Sequence, residues 1–149
     1  MFKHSLVSQI TLGEDSLLEL KTVSVPGKRV ADPDTRDIAD ELAAAANSHG
    51  ATFVFGVDDK TKEIKGIEQG KIDIVETWLR NICNDSIKPP IAPLIRKLSI
   101  PDAQGNEKAV IKVEVTKSLF VHKSPHGYFY RIGSSKREMP PDMLAPLIK

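Results

Sequence analysis

The sequence predicts one α/β (α+β) domain, in which a mixed, mostly antiparallel sheet of about five to six strands packs against two main helices. The first observation is the length of 149 residues, which suits a single domain over residues 1–149. The second is an ordinary globular composition, with 40% hydrophobic and 28% charged residues. The third is that two segments with helical spacing alternate with short apolar runs bounded by turn residues.

In the first third of the chain, residues 6–10 predict a short helical turn and residues 17–23 predict a strand. Residues 24–34 contain two prolines and a glycine, which predict an exposed loop. A helix is predicted from Asp34 or Thr35 to about Ser48, because its apolar residues fall at helical spacing and Gly50 stands where a C-terminal glycine belongs.

In the middle of the chain, residues 52–57 form a continuous apolar run, which is typical of a strand buried on both faces. The turn residues after this run indicate a return strand over residues 63–67. Residues 72–84 predict the second main helix, because their apolar side chains fall on one helical stripe.

In the last third of the chain, residues 94–100 and 109–115 predict a hairpin of two strands joined by a loop rich in turn residues. Residues 128–132 predict a further strand. Residues 140–148 predict a short closing helix with proline in its first turn.

No apolar run approaches the ~20 residues that cross a bilayer, and the first residues lack the apolar stretch of a signal peptide. We therefore expect a cytoplasmic protein that makes no membrane contact. Cys83 is the single cysteine, which excludes an internal disulfide and a zinc site built on paired cysteines.

The formal net charge of +1 is nearly neutral, but the charges are unevenly distributed along the chain. Residues 117–137 contain no Asp or Glu, and their basic residues are Lys117, Lys123, Arg131, Lys136 and Arg137. This segment predicts a local cationic surface. We expect His122 and His126, which flank Pro125 in the same segment, to be surface residues and not a metal pair.

Four short motifs occur in order along the chain: ELK at residues 19–21, ANSHG at 46–50, FGVDD at 55–59 and YRIGSS at 130–135. Together they resemble the signature of the Schlafen-type AlbA domain. Ala51 departs from the pattern, because many members of that family have a second glycine there. A methyl group should be tolerated at this position.

The resemblance implies that nucleic acid is the partner and that the protein acts in transcriptional regulation. The phosphate contacts are expected from basic side chains, while Tyr130 stacks on a base. The residues expected to bind nucleic acid are Lys21, Lys28, Arg29, Lys123, Tyr130, Arg131, Lys136 and Arg137. Sequence preference should be limited, because few of these residues are suited to reading base edges.

A metal-dependent endoribonuclease is the alternative that the resemblance implies, with catalytic residues Glu14, Glu19 and Asp58 or Asp59. Glu14, Glu19 and Asp59 would hold Mg²⁺ or Mn²⁺, because converging carboxylates repel one another without a divalent ion. Residues five apart in a continuous strand point to opposite faces, so Glu14 and Glu19 meet only if the chain bends near Gly13. Otherwise Glu14 is a surface residue, Glu19 pairs with Lys21 or Arg131, and the two aspartates form a turn.

Two further expectations concern assembly and nucleotides. The animal relatives resemble two lobes of this domain in one chain, which predicts that this protein forms a homodimer, through either residues 109–115 or residues 89–93. A protein-interaction module that has lost the nucleic-acid surface is a third functional class. Residues 66–72 lack the Ser or Thr of a P-loop, so no ATPase activity is expected.

Overall fold

The computed structural model describes residues 2–12 and 17–147 of the chain. Its helices are α1 (Phe2–Leu12), α2 (Thr35–Ala46), α3 (Ile72–Asn81) and α4 (Pro141–Leu144). Its strands are β1 (Leu18–Lys21), β2 (Ala51–Phe55), β3 (Leu94–Pro101), β4 (Glu107–Val115), β5 (Lys123–Ser124), β6 (Gly127–Ile132) and β7 (Ser135–Glu138). The mixed α and β class predicted from the sequence is confirmed.

The main sheet has four strands in the order β1-β2-β4-β3. β1 runs parallel to β2, while β4 is antiparallel to both β2 and β3. The predicted hairpin of β3 and β4 is therefore present, and β2 lies inside the sheet as its continuous apolar run indicated. Both edges of β4 are hydrogen-bonded within the sheet, so β4 offers no free edge to a second copy.

The two faces of the main sheet bury separate apolar clusters. On one face, Phe53, Phe55 and Val113 pack with residues of α2 and α3. On the other face, Leu20 and Val54 pack beneath α1. Alternating strand side chains thus pack against helices on both faces of the sheet.

The predicted cap of α2 is present, because the Asp34 side chain accepts hydrogen bonds from the backbone amides of Arg36 and Asp37.

A second sheet of three antiparallel strands, β5-β6-β7, packs against α2. The sequence predicted only β6 of these strands. β5 has two residues, and β7 reads Ser-Lys-Arg-Glu, so neither carries the apolar alternation that marks a strand from sequence. The expected single sheet of five to six strands is in fact two sheets.

Other boundaries also differ from the predicted ones. α1 is a full helix where a turn over residues 6–10 was expected. The strand expected over residues 63–67 is reduced to one bridge between Val57 and Ile64. A 3₁₀ turn (Gln69–Lys71) precedes α3 and a π-helical turn (Ile82–Ser86) follows it, so the second main helical stretch is longer and less regular than predicted.

Cys83 lies in the π-helical turn and is buried. Burial raises the pKa of its thiol to about 11, and Arg80 lowers this pKa only in part. The thiol is therefore protonated at neutral pH.

Within the described ranges, no helix is long and apolar enough to cross a membrane.

Candidate nucleic-acid interface

We call the three-stranded sheet β5-β6-β7 the small sheet. Its strand register divides its side chains between two faces. Lys123 lies opposite Tyr128, and Tyr130 lies opposite Arg137. Lys88 extends the sheet by one bridge, because it exchanges two backbone hydrogen bonds of 2.8 Å with Lys123. Directly opposed residues of antiparallel strands share a face. One face therefore presents what we call the outer row: Lys88, Lys123, Tyr128, Tyr130 and Arg137.

The outer row combines exposed cations with aromatic rings. Lys88, Lys123 and Arg137 are exposed, and the two tyrosines are half-buried. The Lys123 ammonium lies 6.0 Å from the centre of the Tyr128 ring. Residues 123–137 contain no carboxylate side chain, so none from this stretch neutralises the row. Such a face can contact phosphates and offer rings for base stacking.

The opposite face of the small sheet is turned inward and carries Arg131 and Lys136, which are cross-strand neighbours. The Arg131 guanidinium pairs with the Glu19 carboxylate at 3.1 Å, and their side chains are only 4% and 5% exposed. The Arg131 backbone amide donates a 2.7 Å hydrogen bond to the Ser48 hydroxyl. Arg131 therefore faces the interior of the protein, where a phosphate group could not reach it without displacing Glu19.

Lys21 belongs to the same internal charge network. Its ammonium lies 2.9 Å from a Glu41 oxygen and 3.6 Å from a Glu19 oxygen. Glu19 and Lys21 are two residues apart in β1, which places both side chains on the face of the sheet that α2 covers. The ion pairs consequently join β1, α2 and β6.

Asn47, the C-terminal cap of α2, fixes the small sheet to that helix. Its side-chain amide donates hydrogen bonds to the carbonyls of His122 (2.9 Å) and Phe129 (2.8 Å). Its side-chain oxygen accepts a 2.8 Å hydrogen bond from the His122 amide. All these partners are backbone groups, so Asn47 positions the residues on either side of β5.

His122 is buried, contrary to the expectation that it would be a surface residue. Its Nδ1–H donates to the Pro89 carbonyl at 2.6 Å, and its Nε2 lies 2.7 Å from the Ser118 hydroxyl, within hydrogen-bond distance. A carbonyl can only accept, so Nδ1 carries a hydrogen. His126 is half-exposed, in the turn between β5 and β6.

Lys28 and Arg29 are both exposed on the loop between β1 and α2. Hydrogen bonds of 2.8 Å between Ser24 and residues 31–32 close the neck of this loop. The base of the loop lines an open groove of about 920 Å³, with Lys97 among the other lining residues. A hydrogen bond to Asp73 raises the pKa of Lys97 and holds its ammonium at 3.1 Å from that carboxylate.

Only three of the four residues of the predicted carboxylate site lie within the described part of the chain. Glu14 lies outside the described residues. The Asp58 carboxylate accepts 2.8 Å hydrogen bonds from the amides of Lys60 and Thr61, and the bond from Thr61 is the largest cause that lowers the pKa of Asp58. Asp59 is exposed beside it. Glu19, Asp58 and Asp59 form no cluster of three potential ligands among the residues that the structure covers, so the nuclease stays a prediction.

A family model described as "Schlafen, AlbA_2" matches residues 14–140, which is most of the chain. The chain belongs to the Schlafen AlbA_2 family. This confirms the resemblance carried by the four motifs, and the family is one related to nucleic acids. No match was found among curated proteins.

Solved structures also resemble this Schlafen AlbA_2 chain. One is the crystal structure of the DIP2311 protein from Corynebacterium diphtheriae, with a TM-score of 0.60 and 22% sequence identity. The similarity covers 83% of this chain and 22% of that chain, so this chain spans about a fifth of that protein's length. At this level of identity the comparison shows a shared fold alone.

Two residues of this Schlafen AlbA_2 chain, one in the outer row and one within α2, were not predicted from the sequence. Lys88 was overlooked because it precedes a proline-rich stretch, and its bridge to Lys123 joins distant parts of the chain. Asp40 was overlooked because it lies within the alanine-rich α2 helix. It is fully buried there, and both of its carboxylate oxygens contact His126.

Proposed function

We propose that this protein binds nucleic acid through the outer row. The observation that carries the proposal is the strand register, which aligns three exposed cations with two tyrosines on one face of the small sheet. The cations would contact phosphates, and a tyrosine ring would stack on an unpaired base. Family membership supports the same partner.

Within this proposal, the residues predicted from sequence take two different roles. Lys123, Tyr130 and Arg137 contact the ligand directly, joined by Lys88 and Tyr128. Arg131 and Lys136 join the small sheet to β1 and α2 through ion pairs with Glu19 and Asp40, and Lys21 joins β1 to α2 through Glu41. Lys28 and Arg29 supply additional phosphate contacts from their exposed loop.

The decisive experiment is a titration of labelled single-stranded RNA and DNA with the double variant Lys123→Ala/Arg137→Ala at several salt concentrations. Each lost phosphate contact should lower the salt slope by about one unit, so the double variant should lose about two units together with affinity. The matched control is Arg36→Ala/Lys60→Ala, which removes one Arg and one Lys that are exposed elsewhere. Equal affinity and slope in both double variants would contradict the proposal.

We also propose that the protein is a cytoplasmic homodimer that acts in transcriptional regulation. A groove of about 380 Å³ runs between residues 89–93 and the segment around Phe120. Leu119 is 97% exposed and Phe120 is 69% exposed at its rim. An apolar projection and an apolar groove on one patch satisfy the self-complementarity that a twofold interface requires.

A further inference from the structure

Asp37, Asp40 and His126 bring two carboxylates and an imidazole together beside α2. One ligand atom from each residue lies within 4.8 Å of the other two. We propose that these three side chains bind a divalent transition-metal ion, and that the preferred ion is Zn²⁺. The group is separate from the outer row, and the proposal does not rest on nucleic-acid binding.

The arrangement begins with Asp40, whose side chain is fully buried. Its Oδ1 accepts a 3.2 Å hydrogen bond from the backbone amide of His126, and its Oδ2 contacts His126 Nδ1. The backbone contact orients the carboxylate, as hydrogen bonds to metal-ligating carboxylates commonly do. Oδ2 and Nδ1 are held against each other, so a bound ion would replace the hydrogen between them.

Asp37 supplies the third ligand from one helical turn earlier in α2, because residues three apart lie on the same side of a helix. Asp37 is exposed, and the His126 side chain is 49% exposed. The buried Asp40 thus forms the floor of the site, while the other two ligands face solvent. A bound ion would keep positions open for water.

The local charge balance favours a cation. Two carboxylates face the site, and the nearest ammonium, that of Lys136, lies 3.9 Å from Asp40 Oδ2. Lys136 supplies one positive charge beside the buried Asp40 carboxylate, and a divalent ion would also balance the second carboxylate, that of Asp37. One imidazole with two carboxylates suits Zn²⁺, whose ligands are nitrogen and oxygen atoms at about 2.0–2.2 Å, whereas Mg²⁺ and Ca²⁺ prefer all-oxygen sites.

Bound metal would have a structural consequence for the small sheet. His126 belongs to the turn that joins β5 to β6, while Asp37 and Asp40 belong to α2. An ion held between them would join that turn to the helix, in addition to the hydrogen bonds of Asn47. Metal binding would therefore stabilise the folded chain by mass action.

The test is calorimetric titration of the chelator-treated full chain with ZnCl₂, with MgCl₂ titrated in parallel. We expect one Zn²⁺ per chain, no comparable binding of Mg²⁺, and at least tenfold weaker Zn²⁺ binding in both His126→Gln and Asp37→Asn. His49→Gln, which removes an exposed imidazole elsewhere, should bind like the wild type. Zn²⁺ should also raise the melting temperature of the wild type and leave that of Asp37→Asn/His126→Gln unchanged.

Lys136→Met separates this site from adventitious binding by an exposed histidine. The variant removes a positive charge 3.9 Å from Asp40 Oδ2 and should bind Zn²⁺ more tightly than the wild type. The proposal is overturned if the wild type shows no saturable Zn²⁺ binding, if His126→Gln binds as tightly as the wild type, or if Lys136→Met binds more weakly.

Discussion

At the scale of single residues, burial changes what a charged side chain can do. The carboxylate of Glu19 lies between the guanidinium of Arg131 and the ammonium of Lys21, almost out of reach of water. A surface ion pair contributes little to stability, whereas removing one member of a buried pair leaves the other charge uncompensated. The Glu19 carboxylate therefore has a structural role, whatever chemistry it also performs.

Glu19→Gln should lower the free energy of unfolding by about 3–5 kcal/mol, because it removes the carboxylate that pairs with the buried Arg131 guanidinium. The double variant Glu19→Leu/Arg131→Met should recover much of this loss, since it removes both charges and retains apolar volume. Urea denaturation of the single and double variants measures both effects. Additive losses in the double variant would contradict a direct coupling between the two side chains.

The same variant tests the predicted nuclease. If Glu19 also holds Mg²⁺ or Mn²⁺, Glu19→Gln should abolish manganese-dependent cleavage of RNA at a temperature where the variant is still folded. Arg131→Met, which retains the carboxylate, is the comparison that separates loss of a ligand from loss of stability.

At the scale of elements, the end of α2 decides where β2 begins. Gly50 follows the helix with a φ of +79°, and its amide donates a 2.8 Å hydrogen bond to the Ala45 carbonyl. A Cβ at this position would lie 2.4 Å from the Val115 carbonyl oxygen. Glycine is thus required both by the left-handed turn and by the close approach of β4.

Gly50→Ala should destabilise the protein by more than the about 1–2 kcal/mol that a left-handed conformation costs an alanine, because the methyl group also meets backbone. Gly70→Ala is the matched control, since an added Cβ there has no neighbour within 4 Å. Thermal unfolding of both variants provides the comparison. A melting temperature for Gly50→Ala equal to that of the control would show that the chain relaxes around this position.

Elements with a strong local pattern could be predicted, and the others could not. Helix α2 has helical periodicity and strand β2 has a continuous apolar run, so the positions of both elements could be predicted from the sequence. β7 has no such pattern, because its four residues are polar and carry no apolar alternation. The sequence indicated a cationic segment, but only the register separates Arg137 on the outer face from Lys136 on the inner face.

At the scale of the whole molecule, the two most exposed large apolar residues in the described part of the chain are neighbours, Leu119 and Phe120. Leu119 and Phe120 project beside the groove lined by residues 89–93. β4, the other segment considered for pairing, is enclosed within the sheet. The proline-rich side of the molecule is therefore the surface to test.

Phe120→Asp should convert the proposed dimer to a monomer, because a charge in place of the exposed ring opposes burial in a partner's groove. Multi-angle light scattering at micromolar concentration measures the mass. Met143→Asp, which charges an exposed apolar residue in α4, should remain dimeric. A wild-type mass of one chain would reject the dimer.

The width of the outer row limits how much ligand one copy can cover. The row crosses four neighbouring extended segments, from the bridge residue Lys88 through β5 and β6 to β7. With strands about 4.8 Å apart, it is about 14 Å across. At about 3.4 Å per stacked nucleotide, this corresponds to a footprint of about four nucleotides. A footprint so short matches very many sites in any genome or transcriptome, so the outer row of one copy could not by itself select a single target.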